Sequence, residues 1–392
     1  MDKLDSGDAL THVSLPPEIA ELYRQFVDGT LSVFLRYGWD DRFGGLAERL
    51  TPDFEPDSTP YRRSMSYGRQ LYVYSLWGEK NNQSAFKENA DRIFESLVSL
   101  FYDDVHGGWF EKVTLEGKPL STNKVLYSHA FVLFGLTAYR YCLNREKADF
   151  HLSHTLEYVG TLFKSESGGY HDLLDNVGAD ISDGVDQNPI MHLLESLLFL
   201  YENSRSATAL EMAHEIVQFV EQSFLKEGMI VEHLTHDFQP HPANGHIVEP
   251  GHQFEWAWLF NWYSTLSGVA TYDYVCKVLI DNAMSVGWDR KYGGIFDQID
   301  RHSGDAMLLT KRIWPLEELI KAASVFPEYF DASELQVDQL ARFLCANYLN
   351  KDGSWSERLN EDLSVADNTL RASTCYHTSL ALTEALNAVA TR

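Results

Sequence analysis

The chain has 392 residues and a formal net charge of −25, with 57 acidic against 32 basic side chains. Nucleic acid and anionic membrane surfaces would repel that average surface, which argues against both as partners. Hydrophobic residues make up 44% of the sequence, ample for a large core, and no run of 18 apolar residues marks a membrane span.

The first stretch, MDKLDSGDALTHVSLPP, lacks a basic region followed by an apolar one and does not read as a signal peptide. Cys142, Cys276, Cys345 and Cys375 stand far apart with no C-x-x-C pair, so reduced, mostly buried thiols and a cytoplasmic location are expected.

From residue 40 onward the punctuation repeats. DDRFGGLAE begins at Asp40, DDVHGGWFE at Asp103, SESGGYHDL at Ser165, KEGMIVEHL at Lys226, DRKYGGIFDQ at Asp289 and KDGSWSERL at Lys351. Measured at Gly44, Gly107, Gly168, Gly228, Gly293 and Gly353, the units are 60 to 65 residues apart, room for two helices and a loop each. AFKENADRIFESLVSLFYDD keeps a polar face, whereas the following KVLYSHAFVLFGLTAYRYCL is apolar on most sides. IMHLLESLLFLYE and TALEMAHEIVQFVEQSF repeat the contrast.

One helix of each pair is therefore expected to be buried and the other half-exposed. Six such pairs fit an all-α (α/α)6 barrel, six inner helices ringed by six outer ones, as a single catalytic domain over residues 1–392. An open solenoid is the competing architecture, and the lack of a polar capping repeat favours closure. Segments such as GGWFEKV and GGIFDQI alternate enough for short β-hairpins at one rim. Loops and inner-helix starts would enclose a pocket there.

Early in the inner helices, at similar distances past the marker glycines, fall Arg69, His129, His192, His252, Trp314 and His377. Any one such histidine is explained by a structural bond to a carboxylate; convergence on one rim points to chemistry. His192-x-x-Glu195 and His252-x-x-Glu255 put imidazole and carboxylate on one helical face, so Glu255 is expected to orient His252. The helix start lowers the pKa of His252 and a nearby carboxylate raises it, leaving a group near neutrality, as a general base requires.

The loop histidines His233, His236, His241 and His246 match no compact zinc signature, and no metal is expected. Arg69 is suited to meet an oxyanion, and Trp314 to lie against the apolar face of a sugar. Nucleophile-elbow, phosphate-loop and dinucleotide motifs are missing, so no organic cofactor is implied.

The Gly-pair repeat together with NPIMHLLE, EPGHQFEWAW, KRIWPLEE and CYHTSL resembles the N-acylglucosamine 2-epimerase superfamily over nearly the whole chain. The resemblance implies an (α/α)6 barrel and cofactor-free proton transfer through an enediolate on an unphosphorylated sugar. It also implies a sugar site of Arg69, Asn188, His192, His252, Glu255, Trp314, Glu318 and His377. His252, His377 and Glu255 are assigned to catalysis, and Arg69, Asn188, His192, Trp314 and Glu318 to substrate binding.

KRIWPLEE departs from the W-W-x-x-x-E form of the epimerases and looks more like the mannose isomerase branch. The expected activity is thus an aldose-ketose isomerase for D-mannose and D-fructose, with a monosaccharide as partner and a monomer or homodimer as the assembly. The alternatives are a sugar 2-epimerase of the N-acylglucosamine or cellobiose type, a sulfoquinovose isomerase, a glycoside hydrolase on the same barrel, and a noncatalytic sugar-binding barrel.

Overall fold

The computed structural model describes residues 15–269, 272–330 and 335–391, so most of the stretch read above for a leader lies outside the described residues. Apolar patterning sorts the helices into two sets. Ser64–Lys80, Leu126–Tyr141, Gln187–Ser204, Pro250–Ser267, Ile313–Val325 and Cys375–Ala390 bury residues on nearly every side over much of their length. The helices between them bury one stripe. Ser84–Phe101, for example, buries Phe86, Ala90, Ile93, Phe94, Leu97 and Phe101, the spacing of an amphipathic surface helix.

Asp149–Tyr158, Ala207–Ser223, Asp273–Gly287 and Val337–Asn347 belong to this outer set. So does a helix that starts at Pro17 and passes through the π-helical Arg24–Thr30 into Leu31–Tyr37. Each inner helix packs against the next, and Cys375–Ala390 returns to Ser64–Lys80. The ring of inner helices is closed, as the six-unit repeat predicts. No helix among the described residues is long and apolar enough to cross a membrane.

Short strands close the ring a second time, at one rim. The strand before each inner helix pairs antiparallel with a strand of the next unit. Tyr61–Arg63 joins Lys112–Thr114, Lys124–Val125 joins Leu173–Leu174, and Val185–Asp186 joins His233–Leu234. Ile247–Val248 joins Gln298–Asp300, and Lys311–Arg312 joins Arg358–Leu359. Leu370–Arg371 then pairs with Arg49–Leu50, linking last unit to first. An open solenoid would leave those two edges unpaired. Hairpins within a unit also form, as in Gln298–Asp300 with Ala306–Leu308.

One acidic residue per unit ties this rim to the helices. Four positions past each marker glycine stands Glu48, Glu111, Asp172, Glu232, Asp297 or Glu357. The backbone carbonyls of Glu111, Asp172, Glu232 and Glu357 accept the first N–H of the preceding inner helix, from Ser64, Leu126, Gln187 and Ile313. Glu48 closes the circle by accepting from Ala372. The matching helix at Asp297 opens with Pro250, which has no N–H to give.

The side chains reach the other way. The carboxylates of Glu48, Asp172, Glu232 and Asp297 accept the backbone N–H of Arg63, Asp186, Glu249 and Arg312 at 3.0, 2.7, 2.9 and 2.7 Å. Each of those N–H groups lies just ahead of its unit's inner helix, where intrahelical partners run out.

Glu48 also accepts from Arg63 Nε at 2.6 Å and Ser66 Oγ at 2.7 Å and is itself buried. Glu48→Ala strands these donors and is expected to cost about 3 kcal/mol, near the lower end for breaking a buried charged pair. Lys147→Ala, which breaks an exposed pair with Glu95, is expected to change stability by less than about 0.5 kcal/mol. Urea midpoints of the two variants against the parent chain check the contrast.

Candidate active site

The rim with the strands encloses a cavity of about 250 Å³. Arg69, Asn188, His192, His252, Glu255, Trp314 and His377 line it, and Glu318 lies behind His377. Tyr127, Glu232, Glu249 and Arg312, which sequence reasoning did not single out, line it too. A larger cleft of about 730 Å³ lies between the outer helices Asp273–Gly287 and Val337–Asn347, but among the described residues its only charged groups are Asp281 and Arg290.

Each cavity histidine has its Nδ1 on a carboxylate oxygen. His192 meets Glu195 at 3.1 Å, His252 meets Glu232 at 2.9 Å, and His377 meets Glu318 at 2.8 Å. Where that carboxylate is ionised it accepts and cannot donate, so the proton then sits on Nδ1 and Nε2 is left for the cavity. For His252 the arrangement continues outward. Gln187 Nε2 donates to the same Glu232 oxygen at 2.7 Å, and Trp256 Nε1–H fixes that amide by donating to Gln187 Oε1 at 2.6 Å.

Glu255 therefore does not hold His252, contrary to the expectation from their spacing. The i, i+3 relation puts the two residues on one face, but Glu232 reaches His252 from the rim while Glu255 lies at the cavity floor. There its Oε1 lies 3.8 Å from His192 Nδ1 and 3.9 Å from Lys321 Nζ. Glu232 was missed because it sits 20 residues before His252 on a connecting segment. The signal that could have found it is the acid four positions past every marker glycine. Glu232 serves the rim through Oε1 and the histidine through Oε2.

Surroundings set the histidines apart in charge. Burial opposes a proton on His252, but Glu232, Glu249 and Glu255 outweigh it and raise its pKa to about 9, so it is a charged acid and not the near-neutral base expected from the helix start and one carboxylate. Burial drives His377 well below the usual imidazole range, and the positive charges of Arg69 and Lys321 push the same way. His192 is lowered to about 3, by burial first, against the pull of Glu255. At neutral pH His252 thus stands as an imidazolium beside the neutral imidazoles of His192 and His377, a charged acid and candidate bases in one small space.

His129, the fourth rim histidine in the sequence pattern, stands apart. It lies 22 residues past its marker glycine, against 24 for His192, His252 and His377. Two residues amount to about 200° around a helix, which turns it away from the others. Its Nε2 accepts the Trp109 N–H at 3.0 Å and its ring stacks on Tyr158. Gly108, at φ +69°, belongs to the same lock, because a Cβ there would lie 2.8 Å from His129 Nε2. The residue at the matching offset is Phe131, whose ring lies under Arg69 and beside His192.

Arg69 is buried with its guanidinium 4.0 Å from the centroid of Phe131 and 4.8 Å from that of Tyr376. It donates to Tyr127 Oη at 2.9 Å and Ser373 O at 3.3 Å. Trp314 lies between the two histidines of opposite charge, 4.9 Å from the His252 ring and 5.7 Å from that of His377. Its seat depends on Gly251, where a Cβ would come within 2.5 Å of the indole. Arg312 is paired with Glu249 at 2.6 Å and Asp297 at 3.0 Å.

Two groups among the described residues bring histidine and carboxylate atoms close enough to share a metal ion: His192–Glu195–Glu255 and Glu255–Glu318–His377. The ammonium of Lys321, 2.5 Å from Glu318 and 3.9 Å from Glu255, already supplies positive charge there. The loop histidines belong to neither group. His233, for instance, is bonded to Asp186 at 2.7 Å.

The family model for N-acylglucosamine 2-epimerase (GlcNAc 2-epimerase) matches residues 44–381. The chain belongs to that family and is an enzyme of the isomerase class. It is 27% identical to a protein of Rhizobium meliloti (strain 1021) named mannose-6-phosphate isomerase, over 94% of this chain and 96% of that one.

Among solved structures, a D-mannose isomerase superposes with a TM-score of 0.85 at 22% identity, covering 95% of this chain and 100% of the other. The cellobiose 2-epimerase from Spirochaeta thermophila DSM 6192 also gives 0.85, at 19% identity, covering 95% and 96%. These two likenesses fix the fold as the (α/α)6 barrel.

Loss of the His252 proton near pH 9 is expected to set the alkaline limb of turnover. Glu232 is the strongest of the groups that raise this pKa, so Glu232→Gln lowers it and moves the limb toward neutral pH. A pH profile of kcat/KM for the variant, set beside that of the parent enzyme, checks the direction.

Proposed function

We propose that the enzyme is a cofactor-independent aldose-ketose isomerase of an unphosphorylated monosaccharide, with D-mannose and D-fructose as the leading pair. The observation that carries the reading is the charge division between His252 and His377 across Trp314. His252, as imidazolium, gives a proton to the ring oxygen and takes up the one that the anomeric O1–H releases as the ring opens, which restores its charge. His377 Nε2 then takes the proton from C2 as the electron pair moves into a C1–C2 double bond and onto O1. Arg69 and His252 stabilise the resulting enediolate.

The same His377 returns its proton to C1 while C2 becomes the carbonyl. His252 lends the proton that O1 needs and recovers one from O2. Asn188 and His192 read sugar hydroxyls, and Trp314 lies against the ring's apolar face. Glu318 acts through His377. Glu255 acts from the floor, adding negative charge that favours the His252 imidazolium.

Size and charge support the substrate class. A cavity of about 250 Å³ falls below the range of about 300–1,000 Å³ usual for larger ligands, which suits one hexose better than a disaccharide. Asp186, Glu232, Glu249 and Glu255 face it, against Arg69, charged His252 and an Arg312 already held by two carboxylates. Among the described residues that line it, Arg69 is the one cation without a carboxylate partner, and the proposed reaction uses it at the enediolate. This favours mannose over mannose 6-phosphate, despite the name of the Rhizobium relative, and over sulfoquinovose. Ile313 stands where the epimerase motif has its first tryptophan, in line with isomerisation rather than 2-epimerisation. All four cysteines are free thiols, which supports a reducing, cytoplasmic setting.

Proton NMR of mannose with the enzyme in D2O tests the reading. Fructose with solvent deuterium at C1 is expected, and glucose with deuterium at C2 would make the enzyme an epimerase. His377→Ala is expected to lower kcat by about 10²–10⁴-fold with sugar binding largely kept, and ordinary activity would remove His377 from its role. Mannose 6-phosphate in the same assay is expected to react at least about 100-fold more slowly, because like charges placed together cost several kcal/mol.

A further inference from the structure

Behind the cavity lies a layer of charge with almost no water contact. Glu195, Glu255, Glu318 and Lys321 are each no more than 1% exposed. Three carboxylates share one ammonium. Lys321 Nζ is 2.5 Å from Glu318 Oε2, its partner one helical turn back, and 3.9 Å from Glu255 Oε1 on the neighbouring inner helix. Its other neighbour is an aromatic face, the Trp258 ring at 3.9 Å. That ring is held by Trp258 Nε1–H donating to Glu384 at 3.2 Å.

Glu318 sits between this ammonium and the imidazole of His377, with Oε2 toward Lys321 and Oε1 toward His377 Nδ1. The protonation of Glu318 therefore decides which tautomer His377 adopts. Ionised, Glu318 can only accept, so His377 keeps its proton on Nδ1 and presents a lone pair at Nε2. Protonated, it can donate to Nδ1, and the imidazole then carries its proton at Nε2. The cavity would meet an N–H donor in place of a base.

We propose that Lys321 is a positioning residue of the isomerisation: its ammonium keeps Glu318 ionised and so holds His377 in the tautomer whose Nε2 can take the C2 proton. This rests on His377 being the base. The ion pair carries the proposal, with Lys321 Nζ 2.5 Å from Glu318 Oε2. Burial, then Glu255, and Glu195 as well, push the Glu318 pKa well above the usual carboxylate range, and Lys321 is the cation that opposes them. Lys321 stays charged against its own burial because Glu318, Glu255 and Glu195 surround it from three inner helices.

Glu317 and Glu384 feel the same ammonium. Around His377 the other cations are Arg69 and His252, and neither touches Glu318. Without Lys321 the layer takes up a proton from solvent, and Glu318, the carboxyl nearest the lost charge, receives it.

The test is the 15N NMR spectrum of histidine-labelled enzyme at pH 7, with the His377 signals identified by their loss in His377→Gln. The parent enzyme is expected to show the proton on Nδ1 and a pyridine-type Nε2. Lys321→Met is expected to move the proton to Nε2 and to lower kcat by about 10²–10⁴-fold with little change in sugar affinity. Lys321→Arg, which keeps the charge, is expected to retain the parent tautomer.

A proton on Nε2 in the parent enzyme overturns the proposal, as does an unchanged tautomer in Lys321→Met. Should Lys321→Met not fold, Lys321→Met/Glu255→Gln removes one carboxylate with the ammonium, and the parent spectrum is decisive alone. The tautomer is read without substrate. A failure of the proposed sugar reaction therefore shows in turnover and not in this spectrum.

Discussion

The structure depends on an acid placed four residues past the turn of every unit. Its backbone carbonyl generally takes the first N–H of one inner helix, and in four of six units its side chain takes the N–H just ahead of the next. Helix starts are where backbone donors lack partners, and a ring of inner helices gathers all its starts at one rim. Satisfying them there with protein groups makes an ordered rim. Only such a rim can hold a carboxylate against a histidine at a fixed distance. Glu232 shows the connection most plainly, since one oxygen serves the ring and the other serves His252.

The fold's cost is concentrated where its chemistry lies. Glu195, Glu255, Glu318, Lys321 and Arg69 are withdrawn from water near the barrel axis. Replacing such groups by apolar ones is often neutral or favourable to stability, so their presence calls for a reason other than stability. The reason offered here is electrostatic sorting. Burial, helped by the charges of Arg69 and Lys321, keeps His377 neutral, whereas the carboxylates around His252 outweigh its burial, so identical side chains bonded in the same way acquire opposite protonation states. A large apolar core in both helix layers carries the expense.

Much of this was legible in the chain. The turns repeat because their geometry demands glycine and an acid, so Gly44 through Gly353 mark the units without reference to packing. Helix burial followed from periodicity, as in Ser84–Phe101 against Leu126–Tyr141. Closure was less accessible, since the pairing of Arg49–Leu50 with Leu370–Arg371 rests on two-residue strands more than 300 residues apart. The cavity residues could be gathered by counting from the turns, because equivalent positions on inner helices face one axis. Counting failed at His129, where two residues of offset reversed the direction. It was silent on Glu232 and Lys321, which act on histidines brought to them only by the fold.

The central claim is that one base, His377, carries a proton between adjacent carbons on one face of the sugar. It is tested most directly with mannose deuterated at C2, followed by NMR or mass analysis of the product during the first turnovers. A single sheltered base predicts fructose in which part of the deuterium has moved to C1, on one of its two prochiral positions. Glucose that has lost its label to solvent, with no deuterium reaching C1 of fructose, would contradict the account.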